Sequence, residues 1–355
     1  MITTELRRPF QLLLMLCFFA VPGVHAQDNC DDQNALCGLT NAEDLIWLPG
    51  NERFIASRTT STEPPGGLYL VDPATRTIET LYPGANSRDV QNNELFPACP
   101  SAPDVNNFST HGLDLKTVGD NHHRLYVTAH GARESVEVFD IDTSGDTPTA
   151  TWIGCVLMPE DASINAVTIL EDGAFYTTRI STQGEPPGAQ RMLDGEITGF
   201  LYGWRPGEAV VAAVGTEMSG PNGIASSPDG QWLFVAAWGG SEVVRFQRDG
   251  TNLTKNASVA LPFRPDNLRW TEEGSLLATG HRLGDPDNCD NPGPICVNEW
   301  EVAEIHPQDM TVEILATGKP GPGFWAATVA LRDKDGLWLG TFRGDRILFE
   351  PLGSE

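Results

Sequence analysis

Five side chains with oxygen donors, Glu43, Asn165, Asn222, Asp266 and Asn267, open four segments of the chain that read alike. Glu43 opens EDLIWLPGNERFIAS and Asn165 opens NAVTILEDGAFYTTR. Asn222 opens NGIASSPDGQWLFVAAW, and Asp266-Asn267 opens DNLRWTEEGSLLATGH. Each runs polar residue, apolar stretch, turn, second apolar strand. Repeats of this kind stack around an axis, so equivalent positions converge on one place. Carboxylate and amide oxygens at one point make a site for a hard cation, and calcium, which takes about six to eight oxygens, is the natural occupant. Such an ion polarises a carbonyl and stabilises an oxyanion developing on it. The competing explanation for a single Asn or Asp is turn chemistry, a side chain bonded to its own backbone. Turn chemistry does not require five such residues at matching repeat positions.

Three histidines belong to the same pattern. His111 opens a repeat, His130 follows the next strand in YVTAHG, and His281 ends a strand in LLATGH. A histidine at the axis can serve as general base on water or can hold a loop. His122 and His123 lie in a polar stretch that reads as an exposed turn. Other chemistries lack their motifs. The chain contains no GxSxG, no HExxH, no GxxxxGK[ST] and no dinucleotide fingerprint.

The elements that must position these residues are strands. Repeat starts fall near Glu43, His111, Asn165, Asn222, Asp266 and Trp325, between 44 and 68 residues apart. That spacing is the span of a four-stranded propeller blade with insertions. Further strands lie between them at 66–72, 135–142, 199–204, 241–247 and 302–307, bounded by Gly, Asp, Asn and Pro. No long segment holds a 3.6-residue apolar period. The expected fold is all-β, a six-bladed β-propeller forming one domain over 27–355, with loops at 182–194 and 284–294.

Residues 1–26 read as a signal peptide. Arg7 and Arg8 precede an apolar run at 11–22, and Val24-His25-Ala26 offers a small-residue cleavage site. The expectation is an exported protein, periplasmic or secreted, with no stable membrane span. A net charge of −25, from 23 basic and 48 acidic residues, argues against a nucleic-acid partner. Six cysteines follow the signal. In an exported chain they suggest disulfides, with Cys30/Cys37 and Cys289/Cys296 as local pairs, leaving Cys99/Cys155. Fifteen connectivities are open. Zinc is the alternative, without a CxxC or a nearby His to support it.

The segments AEDLIWLPG, STHGLDL, SINAVTIL, GPNGIASSPDG and RPDNLRW, and the stretch from VAEIHPQDM to RILFEPL, resemble the paraoxonase/arylesterase family in order. More distantly the chain resembles the regucalcin–gluconolactonase family. Both are calcium-dependent six-bladed hydrolases. The resemblance implies that Glu43, Asn165, Asn222, Asp266 and Asn267 hold a catalytic calcium. It implies a His111–His130 dyad in which His111 activates water, with Asp266 as a rival base. His281, Phe324, Trp325 and Thr328 fall at the substrate wall. Two departures stand out. The family places an Asp after the Asn of the third segment to bind a second, structural calcium, and here that residue is Ala166. Asp44 and the Leu113 carbonyl remain as partners for such an ion. The family's end-to-end disulfide is also missing, so ring closure rests on strand pairing. The implied activity is hydrolysis of lactones or aryl esters. The alternatives are a calcium-stabilised binding or sensor module, and a metal-free relative like strictosidine synthase, against which the oxygen set argues.

Overall fold

A computed structural model describes residues 30, 32–60, 65–182, 188–285, 289 and 295–353. Residues 1–26, the segment expected to be a signal peptide, lie outside the described residues. Six sheets are arranged in sequence order, as a six-bladed β-propeller requires. The innermost strands are β2 (Ala42–Trp47), β7 (Phe108–Gly119), β11 (Ala162–Ile169), β15 (Pro221–Ser226), β19 (Arg264–Trp270) and β23 (Ala327–Asp333). Each touches the next around the ring, β23 returning to β2. Blades 1 to 5 run outward from β2, β7, β11, β15 and β19, each with three further strands of the same meander. Blade 2 gains a fifth, β6 (Arg88–Asp89), parallel to β10 (Thr149–Leu157).

Blade 6 is composite. It contains β23, β24 (Gly336–Thr341) and β25 (Arg346–Pro351), and its outermost strand is β1 (Ala35–Cys37), antiparallel to β25. The strand closure expected in place of a disulfide is therefore present. The three disulfides are Cys30–Cys37, Cys99–Cys155 and Cys289–Cys296, the local pairs and the remainder.

Local sequence explains the meanders. Strands are rich in Val, Ile, Leu, Phe, Tyr and Trp, and their buried residues pack between neighbouring blades. The turn from first to second strand carries glycines at φ of 78°, 65° and 83° in blades 3, 4 and 5 (Gly173, Gly230, Gly274). A side chain there would be strained, which is why EDG, PDG and EEG recur. Among the described residues one helix occurs, α1 (Gly188–Leu193), within the expected loop 182–194. His123 departs from expectation. β8 begins at His122 (His122–Gly131), so both residues lie in a strand rather than a turn, and strand alternation turns His123 inward, where it is buried with its ring nitrogens meeting the Thr117 and Thr143 hydroxyls at 3.0 and 3.1 Å. His122 is exposed.

Candidate functional site

Each innermost strand is interrupted at the same place. Pairing with the second strand skips between Ala42 and Leu45, Thr110 and Leu113, Ile164 and Val167, Pro221 and Ile224, and Pro265 and Leu268. In each case two residues oppose one, which is a β-bulge, a device that re-aims side chains. The bulged pairs are Glu43-Asp44, His111-Gly112, Asn165-Ala166, Asn222-Gly223 and Asp266-Asn267. In blade 6 the skip is the single residue Thr328, between Ala327 and Val329. The sixth repeat position is thus Thr328 rather than Trp325. The candidate residues lie within strands, so strand-leading turns do not account for them.

In blades 2, 3 and 4 the second bulge position is small, Gly112, Ala166 and Gly223. A Cβ on Gly112 would meet the Ala166 Cα at 2.5 Å, and one on Gly223 the Asn267 Cα at 2.6 Å. The residue opposite each bulge fills the gap with a hydroxyl in several blades. Ser57 Oγ accepts the Asp44 N–H at 3.0 Å and Thr178 Oγ1 accepts the Ala166 N–H at 3.0 Å. The same kind of hydroxyl reaches the following blade. Thr128 donates to the Asn165 carbonyl and Thr178 to the Asn222 carbonyl, both at 2.6 Å. Thr328 donates to the Glu43 carbonyl at 2.5 Å. A hydroxyl-bearing residue at 57, 128, 178 and 279 is a repeat signal that sequence reading passed over.

Glu43, Asn165, Asn222, Asp266 and Asn267 are all buried. Glu43 Oε2, Asn165 Oδ1 and Asn222 Oδ1, from three different blades, have no hydrogen-bond donor. Leaving one buried acceptor unmet costs about 1–3 kcal/mol, and more for a charged one. Three together are the donor set of a hard cation, so the residues fit calcium. Asn267 is placed differently, its Nδ2 donating to Glu43 Oε1 at 2.7 Å. Among the described residues no cluster of three or more His, Cys, Asp and Glu forms a metal site by those residue types alone. The donors are largely amides. Burial first, and then the charge of Glu43, push Asp266 well above the carboxylate range. Two carboxylates here are mutually unfavourable until a cation lies between them.

Beside these oxygens His111 Nδ1 lies 2.9 Å from His130 Nε2, and His130 Nδ1 lies 2.9 Å from Glu134 Oε2. His111 Nε2 is 3.4 Å from Asn165 Nδ2 and 3.5 Å from Glu43 Oε1. Burial opposes charge on His111, yet Glu43 and Asp266 outweigh it and raise its pKa to about 9. Above this group is a cavity of about 750 Å³. Its wall is mostly hydroxyl and amide: Asn41, Thr59, Thr60, Asn106, Asn107, Ser109 and Ser163, with Pro65, Phe108 and Phe342 as the apolar part.

The residues expected at the substrate wall lie elsewhere. Thr328 is fully buried. Phe324 is buried with its ring against Trp300. Trp325 is half-buried, its backbone N–H on the Arg343 carbonyl. His281 is buried one layer behind Phe342, with Nε2 accepting from the Trp238 indole at 3.1 Å. Burial holds His281 neutral down to a pKa of about 4. The unfolded chain protonates near 6.5. Stability due to neutral His281 is therefore complete above pH 6.5 and falls by about 3 kcal/mol as pH drops to 4. His281→Gln keeps an acceptor for Trp238 and should flatten that acid limb by one proton in denaturation measured across pH 4–7.

The two groups expected for a second ion are engaged otherwise. Arg269, on β19, binds the Asp44 carboxylate with Nη2 and donates to the Leu113 carbonyl at 2.9 Å and the Leu45 carbonyl at 2.8 Å. Asp44 also accepts the Leu45 and Leu113 N–H groups at 2.9 and 2.7 Å. Arg269 joins blades 1, 2 and 5 below the site and lines a second cavity of about 710 Å³ at the opposite mouth of the axis.

A family profile described as the SMP-30/Gluconolactonase/LRE-like region matches residues 59–322, well over half of the chain. The chain belongs to that family. It is the group to which the sequence motifs gave the more distant resemblance. No curated protein matches the sequence. Among solved structures, this SMP-30/gluconolactonase-like chain is similar to a luciferin-regenerating enzyme (14% identity, TM-score 0.53, covering 90% of this chain and 94% of that one). It is similar also to a gluconolactonase from Xanthomonas campestris (17% identity, TM-score 0.52, covering 90% and 88%). At such identities the likeness carries the fold alone. Among the described residues no helix is long and apolar enough to cross a membrane.

Proposed function

We propose that this protein is a calcium-dependent lactonase whose preferred substrates are small hydroxylated lactones. The observation that carries the reading is the set of three donor-less buried oxygens, Glu43 Oε2, Asn165 Oδ1 and Asn222 Oδ1, beside a histidine pair on the floor of a polar cavity. Family membership supports a lactone-hydrolysing propeller, and one structural neighbour bears the name gluconolactonase. Among the described residues the wall offers seven hydroxyl or amide side chains as partners for substrate hydroxyls, beside the apolar surfaces of Pro65, Phe108 and Phe342. Three disulfides favour an exported protein.

Glu43, Asn165, Asn222 and Asp266 would hold the ion, with Asn267 orienting Glu43. When bound, calcium would supply positive charge that polarises a lactone carbonyl. His111 Nε2 takes a proton from the attacking water, and His130 holds the other ring nitrogen. In the cation-free site Glu43 and Asp266 keep His111 protonated. With a dication held by those residues, the pull of Glu43 and Asp266 on His111 would be offset and Nε2 would be available as a base. Asp266 is the rival base, but as a calcium ligand it is not free to accept a proton.

The paraoxonase-like motifs and the histidine pair favour a second, wider reading that includes aryl esters. Both are tested by assaying γ- and δ-lactones, aldonolactones and phenyl acetate with calcium and then with excess EGTA. Turnover of aldonolactones that EGTA abolishes and calcium restores is the expected result. If folded, calcium-supplied protein hydrolyses none of them while EGTA lowers its melting temperature, the site serves binding or rigidity instead.

A further inference from the structure

Glu134 lies in the turn between β8 and β9 (Ser135–Asp142), and no sequence motif singles it out. Its side chain is 7% exposed, and both its oxygens are used. Oε2 takes the His130 Nδ1 contact at 2.9 Å, and Oε1 accepts the Ile164 N–H at 2.7 Å. A carboxylate only accepts. The proton of the first contact is therefore on His130 Nδ1, which leaves His130 Nε2 as an acceptor. The next contact then needs its proton on His111 Nδ1, at 2.9 Å. With His111 neutral, as the proposed calcium-loaded site requires, its Nε2 then carries no proton and lies toward the Asn165 amide and Glu43. The Ile164 contact adds a second effect. Ile164 immediately precedes Asn165, so the same carboxylate registers the blade 2 histidines against the bulge of blade 3.

We propose that Glu134 is a positioning residue for hydrolysis: it fixes the tautomer of His130 and, through it, that of His111, so that a bare Nε2 is presented beside Asn165 and Glu43 at the floor of the cavity. This rests on the reading of His111 as the base. Glutamine cannot replace the carboxylate, because two N–H donors converge on it. Its single oxygen serves His130 or Ile164, and its amide group then faces the other donor.

The test uses the full calcium-loaded chain as wild type and as Glu134→Gln, a same-sized variant that avoids the larger gap left by alanine. Ring ¹⁵N–¹H spectra of the wild type should show His111 and His130 protonated at Nδ1 and bare at Nε2. In Glu134→Gln the His130 ring should redistribute toward Nε2–H. kcat on the best lactone should fall about tenfold to a hundredfold, the range seen for outer residues that orient a reacting group, with KM within about a factor of two. An Nε2–H tautomer of His130 in the wild type overturns the proposal. So does a Glu134→Gln variant with an unchanged ring spectrum and unchanged kcat. Wild-type protein that hydrolyses no lactone defeats the functional reading instead, and the ring spectra still decide the role of Glu134.

Discussion

Asp266→Asn should abolish the proposed calcium binding and lower lactone turnover by at least about a thousandfold, the scale on which loss of charge stabilisation at a developing oxyanion is felt. Glu43 and Asp266 are the two carboxylates among the five candidate ligands, so the change halves the negative charge offered to the ion without altering shape. The same substitution should act in the opposite direction on the cation-free protein. Burial and the neighbouring Glu43 both disfavour the Asp266 carboxylate, so removing its charge relieves the metal-free fold. The expected signature is a variant that melts at or above the EGTA-treated wild type, gains nothing from added calcium and is inactive. Calorimetric calcium titration and thermal melts with and without EGTA measure it. Wild-type calcium affinity in Asp266→Asn would remove this residue from the site.

Arg269→Met should cost about 3–5 kcal/mol, the penalty for leaving one partner of a buried ion pair uncompensated. Asp44 is fully buried and the Arg269 side chain is 11% exposed. The guanidinium also satisfies three backbone carbonyls: Leu45, Leu113 and its neighbour Leu268. Asp44→Asn alone should be costly as well, but the double variant should recover part of the loss, because the buried charges then disappear together. Urea denaturation of the two single variants and the double variant completes the cycle. A single Arg269→Met loss below about 1 kcal/mol would show that the pair does not hold the axis. Lysine is a poor substitute, since one ammonium cannot reach a carboxylate and three carbonyls in different directions.

The architecture was legible because blade period and turn glycines are local signals. The apolar–turn–apolar unit repeats, and EDG, PDG and EEG mark the same corner in three blades. The positions of Glu43, His111, Asn165, Asn222 and Asp266 were legible for the same reason. What the sequence concealed is why they converge. A bulge has no residue signature common to all the blades, since its second position is Gly or Ala in three of them and Asp44 or Asn267 in the other two, and the hydroxyls opposite it read as ordinary strand residues. The sixth position was misplaced at Trp325 because blade 6 skips one residue where the others skip two, which put Thr328 out of phase. The wall residues were assigned by resemblance, and packing decides otherwise: Phe324 and His281 pack against Trp300 and Trp238 and do not face the cavity. Glu134 could not be read as a site residue because it lies in a turn with no motif around it and its contacts with His130 and Ile164 are visible only in the fold, and Arg269 because its partners, Asp44 and Leu113, are far away in sequence.

The seam of the ring has a bearing on biosynthesis. β1 emerges from the ribosome first, and its partner β25 emerges last, some three hundred residues later. Until then blade 1 has no neighbour on one side, and Glu43 lacks the Thr328 hydroxyl that pins its carbonyl. Closure of a ring across so long a separation is slow compared with folding of a single hairpin. Five blades can form during translation, but the candidate site, whose Glu43 carbonyl is held by Thr328, is completed only when the final blade accepts the first strand. A chain cut short by proteolysis or premature termination before residue 328 therefore retains most of its secondary structure while lacking a finished site. Ion capture would report completed synthesis, and calcium-dependent protease resistance would separate whole chains from fragments.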